Sequence, residues 1–247
     1  MIKICAISYL NTVPFIHGLK QSKLIQSIDL KLYYPSICAD KLINGEVDLA
    51  LVPVAIIPKL KEAHIISDYC IGSNGAVDTV CLYSDVPIDH IESIALDYQS
   101  RTSVALLKIL LKEYWQLNPL LKKVGIGFED NIKGNHAALV IGDRAFALNT
   151  KHAYIYDLSA IWKESTGFNF VFAAWVSNKK LPQNFISNFN DALKKGLSDI
   201  DRALDLEGDN YPNGTNNVDY LNNKISYNLD AKKKKGMELF LKKVSAL

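Results

Sequence analysis

The chain reads as an α/β protein of two lobes with a ligand cleft between them. Three observations lead there. Short apolar runs alternate with helix-like stretches through the first third of the sequence, the pattern of βαβ units around a parallel core. The middle third repeats that grammar. A strongly β-like run at 169–177 then comes late enough to return the backbone to the first lobe.

Residues 2–8 form the first apolar run and read as a strand, followed by a Pro-containing turn and a helical segment to about Gln21. Residues 29–34 read as the second strand. Pro35 and Ser36 open a helix that runs to about Asn44, with Gly45 as its stop. Residues 47–52 are nearly all apolar, as in a strand covered on both faces, and Pro53 ends them. A short strand at 65–66 and a longer one at 77–83 complete the first block. In the second block 93–97 is a strand and 100–114 a helix. Strands at 123–126 and 138–141 follow, the latter running into Gly142 and Asp143. After the late strand, 182–204 carries Phe185, Ile186, Phe189, Leu193 and Leu197 at helical spacing, and 220–244 reads as a Lys-rich helical tail. The breaks fall near 84–89 and 167–169. The first lobe is therefore expected to comprise 1–84 plus 170–247, and the second to be inserted as 85–169.

Composition narrows the function classes. With 28 basic against 26 acidic residues the net charge is +2, which gives no bulk attraction for nucleic acid or a membrane surface. No apolar stretch approaches the roughly 20 residues that span a bilayer. The run from Lys232 to Lys235 reads as a solvated helix face, because no wider basic field surrounds it. Lys3 precedes a short apolar run, but Asn11 and Pro14 follow without a cleavage pattern. That segment reads as a strand and not a secretion signal, so a cytoplasmic location is expected. Cys5, Cys38, Cys70 and Cys81 lie far apart in apolar runs and read as buried hydrophobes, not zinc ligands. The five histidines show no metal spacing. A protein acting on a small molecule remains.

Ligands in open α/β sheets bind beyond the carboxyl ends of strands, and polar residues collect there. Ser8, Tyr9 and Asn11 end the first strand, Pro53 the strand at 47–52, and Gly142, Asp143 and Arg144 the strand at 138–141. The turn Gly72-Ser73-Asn74-Gly75 leads into the strand carrying Thr79. Ser100, Arg101, Thr102 and Ser103 open a helix, where hydroxyls and free N–H groups can hold a carboxylate or phosphate. The same residues serve equally as plain N-caps. A second hydroxyl-rich turn in the other lobe favours an anion held between lobes. Arg101 and Arg144 can pair with a ligand or with Asp97 and Asp143. Asp143 is the candidate general base, although a carboxylate after a strand also caps turns. GxSxG, GxxxxGK[ST], GxGxxG and HExxH are absent.

Four motifs occur in order: Ser8-Tyr9-Leu10-Asn11-Thr12-Val13-Pro14-Phe15, then Gly45-Glu46-Val47-Asp48-Leu49-Ala50-Leu51-Val52-Pro53, then Asp97-Tyr98-Gln99-Ser100-Arg101-Thr102-Ser103, and Ile141-Gly142-Asp143-Arg144-Ala145. Together, over about residues 1–200, they resemble the chorismate dehydratase family of the futalosine route to menaquinone. The resemblance implies a fold like the type 2 periplasmic binding proteins. It also implies a hydro-lyase converting chorismate to 3-[(1-carboxyvinyl)oxy]benzoate and water, with no metal or organic cofactor. On that reading Ser73, Thr79, Thr102 and Ser103 hold the substrate carboxylates and Asn11 lies beside the ring. Ser8, Tyr9, Pro53, Asn74, Gly75, Ser100, Arg101 and Gly142 surround them, and Asp143 or a substrate carboxylate takes the ring proton. The related 1,4-dihydroxy-6-naphthoate synthases share the fold but carry a different N-terminal motif. The competing class, a solute-binding protein for a small carboxylate, would need an export signal or an anchor cysteine, and Cys5 has no preceding signal segment. The Asn- and Lys-rich stretch after Leu204 carries no motif.

Overall fold

The computed structural model describes residues 1–207, 211 and 217–247. β1 (Ile2–Ile7) passes through a tight turn into α1 (Val13–Lys20), where Pro14 sits in the first helical turn and no backbone N–H is missed. β2 (Ile28–Tyr33), α2 (Pro35–Ile43) and β3 (Leu49–Pro53) follow. Gly45, at φ +72°, reverses the chain after α2, a conformation that favours glycine. β4 (His64–Ser73) ends the first block and β5 (Val80–Ser84) opens the second. That block continues with β6 (Ser93–Leu96), α3 (Thr102–Leu110), β7 (Leu120–Lys123), β8 (His136–Ile141), β9 (Tyr154–Asp157) and α4 (Leu158–Thr166). β10 (Phe170–Ser177) leads to α5 (Gln183–Leu197), α6 (Ile200–Glu207) and the short α7 (Asn217–Asp219). A π-helical turn, Tyr220–Lys224, then precedes β11 (Ser226–Asn228) and α8 (Ala231–Val244).

Two sheets result, ordered β11-β4-β10-β3-β1-β2 and β7-β6-β8-β5-β9. β1 is parallel to both β2 and β3, and β6 to both β7 and β8. The expected parallel core is present in both sheets, with antiparallel strands added to it. β10 lies antiparallel between β3 and β4, and β5 antiparallel between β8 and β9. These are the two strands that arrive from the other sheet. Antiparallel pairing needs no helical crossover.

Other boundaries differ for local reasons. Residues 80–84, grouped with the first lobe from sequence, pair in the second sheet. The strand expected at 65–66 is the ten-residue β4, so Gly72 and Ser73 are strand and not turn. The strand expected from 77 starts at Val80, because Asp78 takes a left-handed φ of 64° that no strand accommodates. β7 ends at Lys123, where the sequence reading begins it. β9 and α4 have no counterpart in that reading; β9 is only four residues long and partly exposed, too short for an alternation to register. The tail expected as helix from 220 is broken by β11, and the stretch after Leu204 lies partly outside the described residues.

β10 is buried along its whole length. Its Trp175 packs against Phe15 of α1 and Phe189 of α5, with ring centres 6.0 and 5.0 Å away. All four cysteines are buried free thiols. Among the described residues no helix is long and apolar enough to cross a membrane.

Candidate active site

The ends of β1, β3 and β8, the entrance to β5 and the N-terminus of α3 converge on one cleft between the sheets. It encloses about 510 Å³ of empty space, mouth included. Ile7, Ile71, Val77, Ile141 and Phe172 contribute apolar walls. Tyr9, Asn11, Thr79, Ser100, Thr102 and Ser103 supply hydroxyls and one amide, with Pro53 and the Gly142 backbone between them. Among the described residues no charged side chain lines it. Such a slot suits a small ring carrying a few polar groups.

Tyr9 and Gly142 approach each other closely across the cleft. Gly142 has φ +67°, and a Cβ there would stand 2.6 Å from the Tyr9 ring. Only glycine allows both the turn and the approach. The Tyr9 hydroxyl donates to Gln99 Oε1. Burial, reinforced by the nearby Asp97 charge, holds that hydroxyl far above its usual pKa, so it stays protonated.

Asn11 is fixed from both sides. Its side-chain oxygen accepts from the Thr12 hydroxyl at 3.1 Å, and its backbone carbonyl accepts from the Tyr227 hydroxyl at 3.0 Å. Tyr220, in the π-helical turn, reaches Thr79 Oγ1 at 2.8 Å. Sequence reasoning missed Tyr220 and Tyr227. Both sit in polar surroundings without periodicity, so no signal marked them.

At the α3 N-terminus the hydroxyls divide their duties. Ser100 Oγ accepts the Ser103 N–H at 3.1 Å, a plain helix cap. Thr102 Oγ1 donates to the Phe172 carbonyl at 3.0 Å and accepts the Ala55 N–H at 3.2 Å. It therefore pins the helix to β10 and to the chain after β3, instead of offering its hydroxyl to a ligand as expected. Ser103 lines the cleft, and its hydroxyl has no hydrogen-bond partner among the described residues.

Several expected residues stand elsewhere. Ser73 is buried and bonds to the Ser159 hydroxyl of α4. Asn74 is exposed, with its carbonyl accepting from Lys163, and Gly75 shares that outer turn. Ser8 spends its N–H on the Tyr33 carbonyl at 2.9 Å. Arg101 is exposed and faces Asp40 across 3.4 Å. Arg144 lies between Asp97, at 2.6 Å, and Glu129, with its guanidinium over the rings of Tyr98 and Phe128. Both arginines thus pair within the protein. Asp143 accepts the Leu10 N–H with both oxygens at 3.1 Å and is not part of the cleft wall. Burial pushes its carboxyl up to about 6, opposed by that N–H.

One further residue escaped the sequence. Asp157 caps α4 through Ser159 and Ala160, and its other oxygen accepts the N–H groups of Val77 and Asp78 at 2.7 and 2.8 Å. It thereby sets the turn that presents Thr79.

Two α/β lobes around an interlobe cleft, exchanging one antiparallel strand each, define the periplasmic-binding-protein-like class of folds. Solved structures agree. A protein from Archaeoglobus fulgidus superposes with a TM-score of 0.77 at 13% identity, covering 99% of this chain and 97% of that one. The periplasmic aliphatic sulphonate binding protein of Escherichia coli gives 0.60 at 11% identity, covering 99% and 90%. The chain belongs to the menaquinone biosynthesis family, whose model matches residues 2–246. The chorismate dehydratase of Thermus thermophilus is 28% identical over 219 residues, covering 81% of this chain and 79% of that protein.

Proposed function

We propose that the chain is a chorismate dehydratase, a cytoplasmic hydro-lyase that forms 3-[(1-carboxyvinyl)oxy]benzoate and water. The observation that carries this reading is the cleft itself: apolar on its flanks, free of charged side chains among the described residues, and headed by Ser103 and the α3 N-terminus. The two lobes are taken as 1–79 with 170–247, and 80–169, the pairing of β5 moving the boundary to Val80. Chorismate is a small ring with two carboxylates. Helix N–H groups with the hydroxyls of Ser103 and Thr79 suit one of them, and Asn11 lies beside the ring.

The reaction breaks one ring C–H bond and one C–O bond, and the electron pair left behind completes the aromatic ring. The proton and the hydroxide leave as water. Aromatisation drives this downhill, so orientation and modest proton transfer suffice. Among the described residues no carboxylate or imidazole lines the cleft, and Tyr9 is held protonated. The base is therefore assigned to a carboxylate of the substrate, and Asp143 becomes a positioning residue behind Leu10 and Asn11. Incubation with chorismate while following the diene absorbance tests the reading. The absorbance should fall, and Asn11→Ala and Ser103→Ala should each slow the fall at least tenfold. An unchanged spectrum with the unaltered chain marks a solute binder and sinks the proposal.

A further inference from the structure

Among the described residues the cleft has no charged wall, and the cations near it are already engaged. Arg144 is shared by Asp97 and Glu129, Lys224 pairs with Asp78 at 2.8 Å, and Lys163 donates to the Asn74 carbonyl. Across the α3 N-terminus the balance is different. There a groove of about 1260 Å³ of empty space is lined by Lys59, Arg101, Lys108 and Lys123, and it shares Ser100 with the cleft. Lys59 follows β3, Lys108 lies on α3 and Lys123 ends β7, so both lobes contribute. Arg101 faces Asp40, and Asp97, the acid on this side, is buried and held by Arg144. Lys59, Lys108 and Lys123 are exposed, and among the described residues none has an acidic partner within 4.0 Å. A chain of net charge +2 thus gathers four cationic side chains in one groove beside the cleft, three of them outside any ion pair among the described residues.

We infer that this groove is the collecting surface for the dianionic substrate, an inference that rests on the function proposed above. Clustered like charges over low-dielectric walls raise the local concentration of a small dicarboxylate and its rate of arrival, by factors of about ten to a thousand at low salt. Within a screening distance of about 10 Å the cleft feels the same field. Keeping the cations outside the cleft separates capture from chemistry. Substrate and product carry the same charge, so the groove favours neither and acts on delivery alone.

The test compares two triple variants of equal charge change. One is Lys59→Glu, Lys108→Glu, Lys123→Glu. The other is Lys232→Glu, Lys234→Glu, Lys235→Glu on the exposed first turns of α8, whose opposite end carries Val244 at the groove wall; along 14 residues the two ends are about 20 Å apart. With chorismate at about 10 mM salt, the groove variant should lose about tenfold in kcat/KM with kcat within about twofold, while the α8 variant stays near the unaltered chain. By about 0.5 M salt the difference should close. Equal kcat/KM in the two variants at low salt, or a loss that salt leaves untouched, overturns the inference. An unaltered chain that fails to consume chorismate sinks the proposed function instead; turnover indifferent to groove charge sinks only the groove.

Discussion

Asp143 carries its charge where it holds the backbone. Both oxygens face the Leu10 N–H, one residue before Asn11, and the carboxyl is pushed up to about 6 by burial. Its ordinary value is 3.8. Between these two values the folded state binds more protons than the unfolded one, so stability falls as pH rises through that window and the cost is complete above it. At pH 7 the buried charge costs up to about 3 kcal/mol. Asp143→Asn keeps an acceptor for Leu10 without that cost. It should match or exceed the parent's urea midpoint at neutral pH, and the advantage should vanish near pH 4. A variant clearly less stable than the parent at neutral pH would refute the assignment. Its activity is a separate readout, because an amide has one acceptor oxygen where the carboxylate presents two.

At the scale of elements, Asp157 does the work of two. One oxygen caps α4 and the other holds the turn before β5. Removing the carboxylate costs about 1 kcal/mol for the cap and about 1–3 kcal/mol for the N–H of buried Val77 left without a partner. Asp157→Ala should therefore lose about 2–4 kcal/mol in denaturant unfolding and slow turnover as Thr79 loses its fixed position. Full activity with normal stability would show that this turn needs no such tether. The residue also marks where the sequence stopped being legible. Residues at strand ends, such as Tyr9, Asn11, Pro53 and Gly142, were readable because a strand's end is a local signal, and they line the cleft. Asp157 ends a four-residue strand and acts on a turn nearly eighty residues earlier, so only the folded chain joins the two. Arg101 and Arg144 were interchangeable in sequence, since the choice between a ligand and an internal acid depends on tertiary distance. Ser73 and Thr102 have the chemistry expected of a site but spend it on α4 and β10.

For the whole molecule the question is how two lobes around so narrow a slot behave as one body. Tyr9 to Gln99 and Leu10 to Asp143 tie the lobes across the cleft. At the crossing between the lobes a different kind of joint exists. Trp162 of α4 packs on Phe170 of β10 and Phe240 of α8, with ring centres 5.4 and 6.1 Å away, and Phe170 meets Phe240 at 5.1 Å. All three are essentially inaccessible, and the main apolar cluster runs unbroken through residues of both sheets. These cross-cleft hydrogen bonds can be exchanged for water at small net cost, whereas parting three interlocked aromatic rings exposes apolar surface at about 25 cal/mol per Å². Opening should therefore proceed at the Tyr9 and Asp143 side while the aromatic joint stays closed. A shared core also makes unfolding cooperative, because neither lobe can lose its structure without uncovering the other. Calorimetry should show one transition for the chain, and Phe240→Ala should move that single transition down by about 3–5 kcal/mol of stability without splitting it. Two resolved transitions in the unaltered chain would mean that the lobes are energetically separate and that the joint is a passive contact.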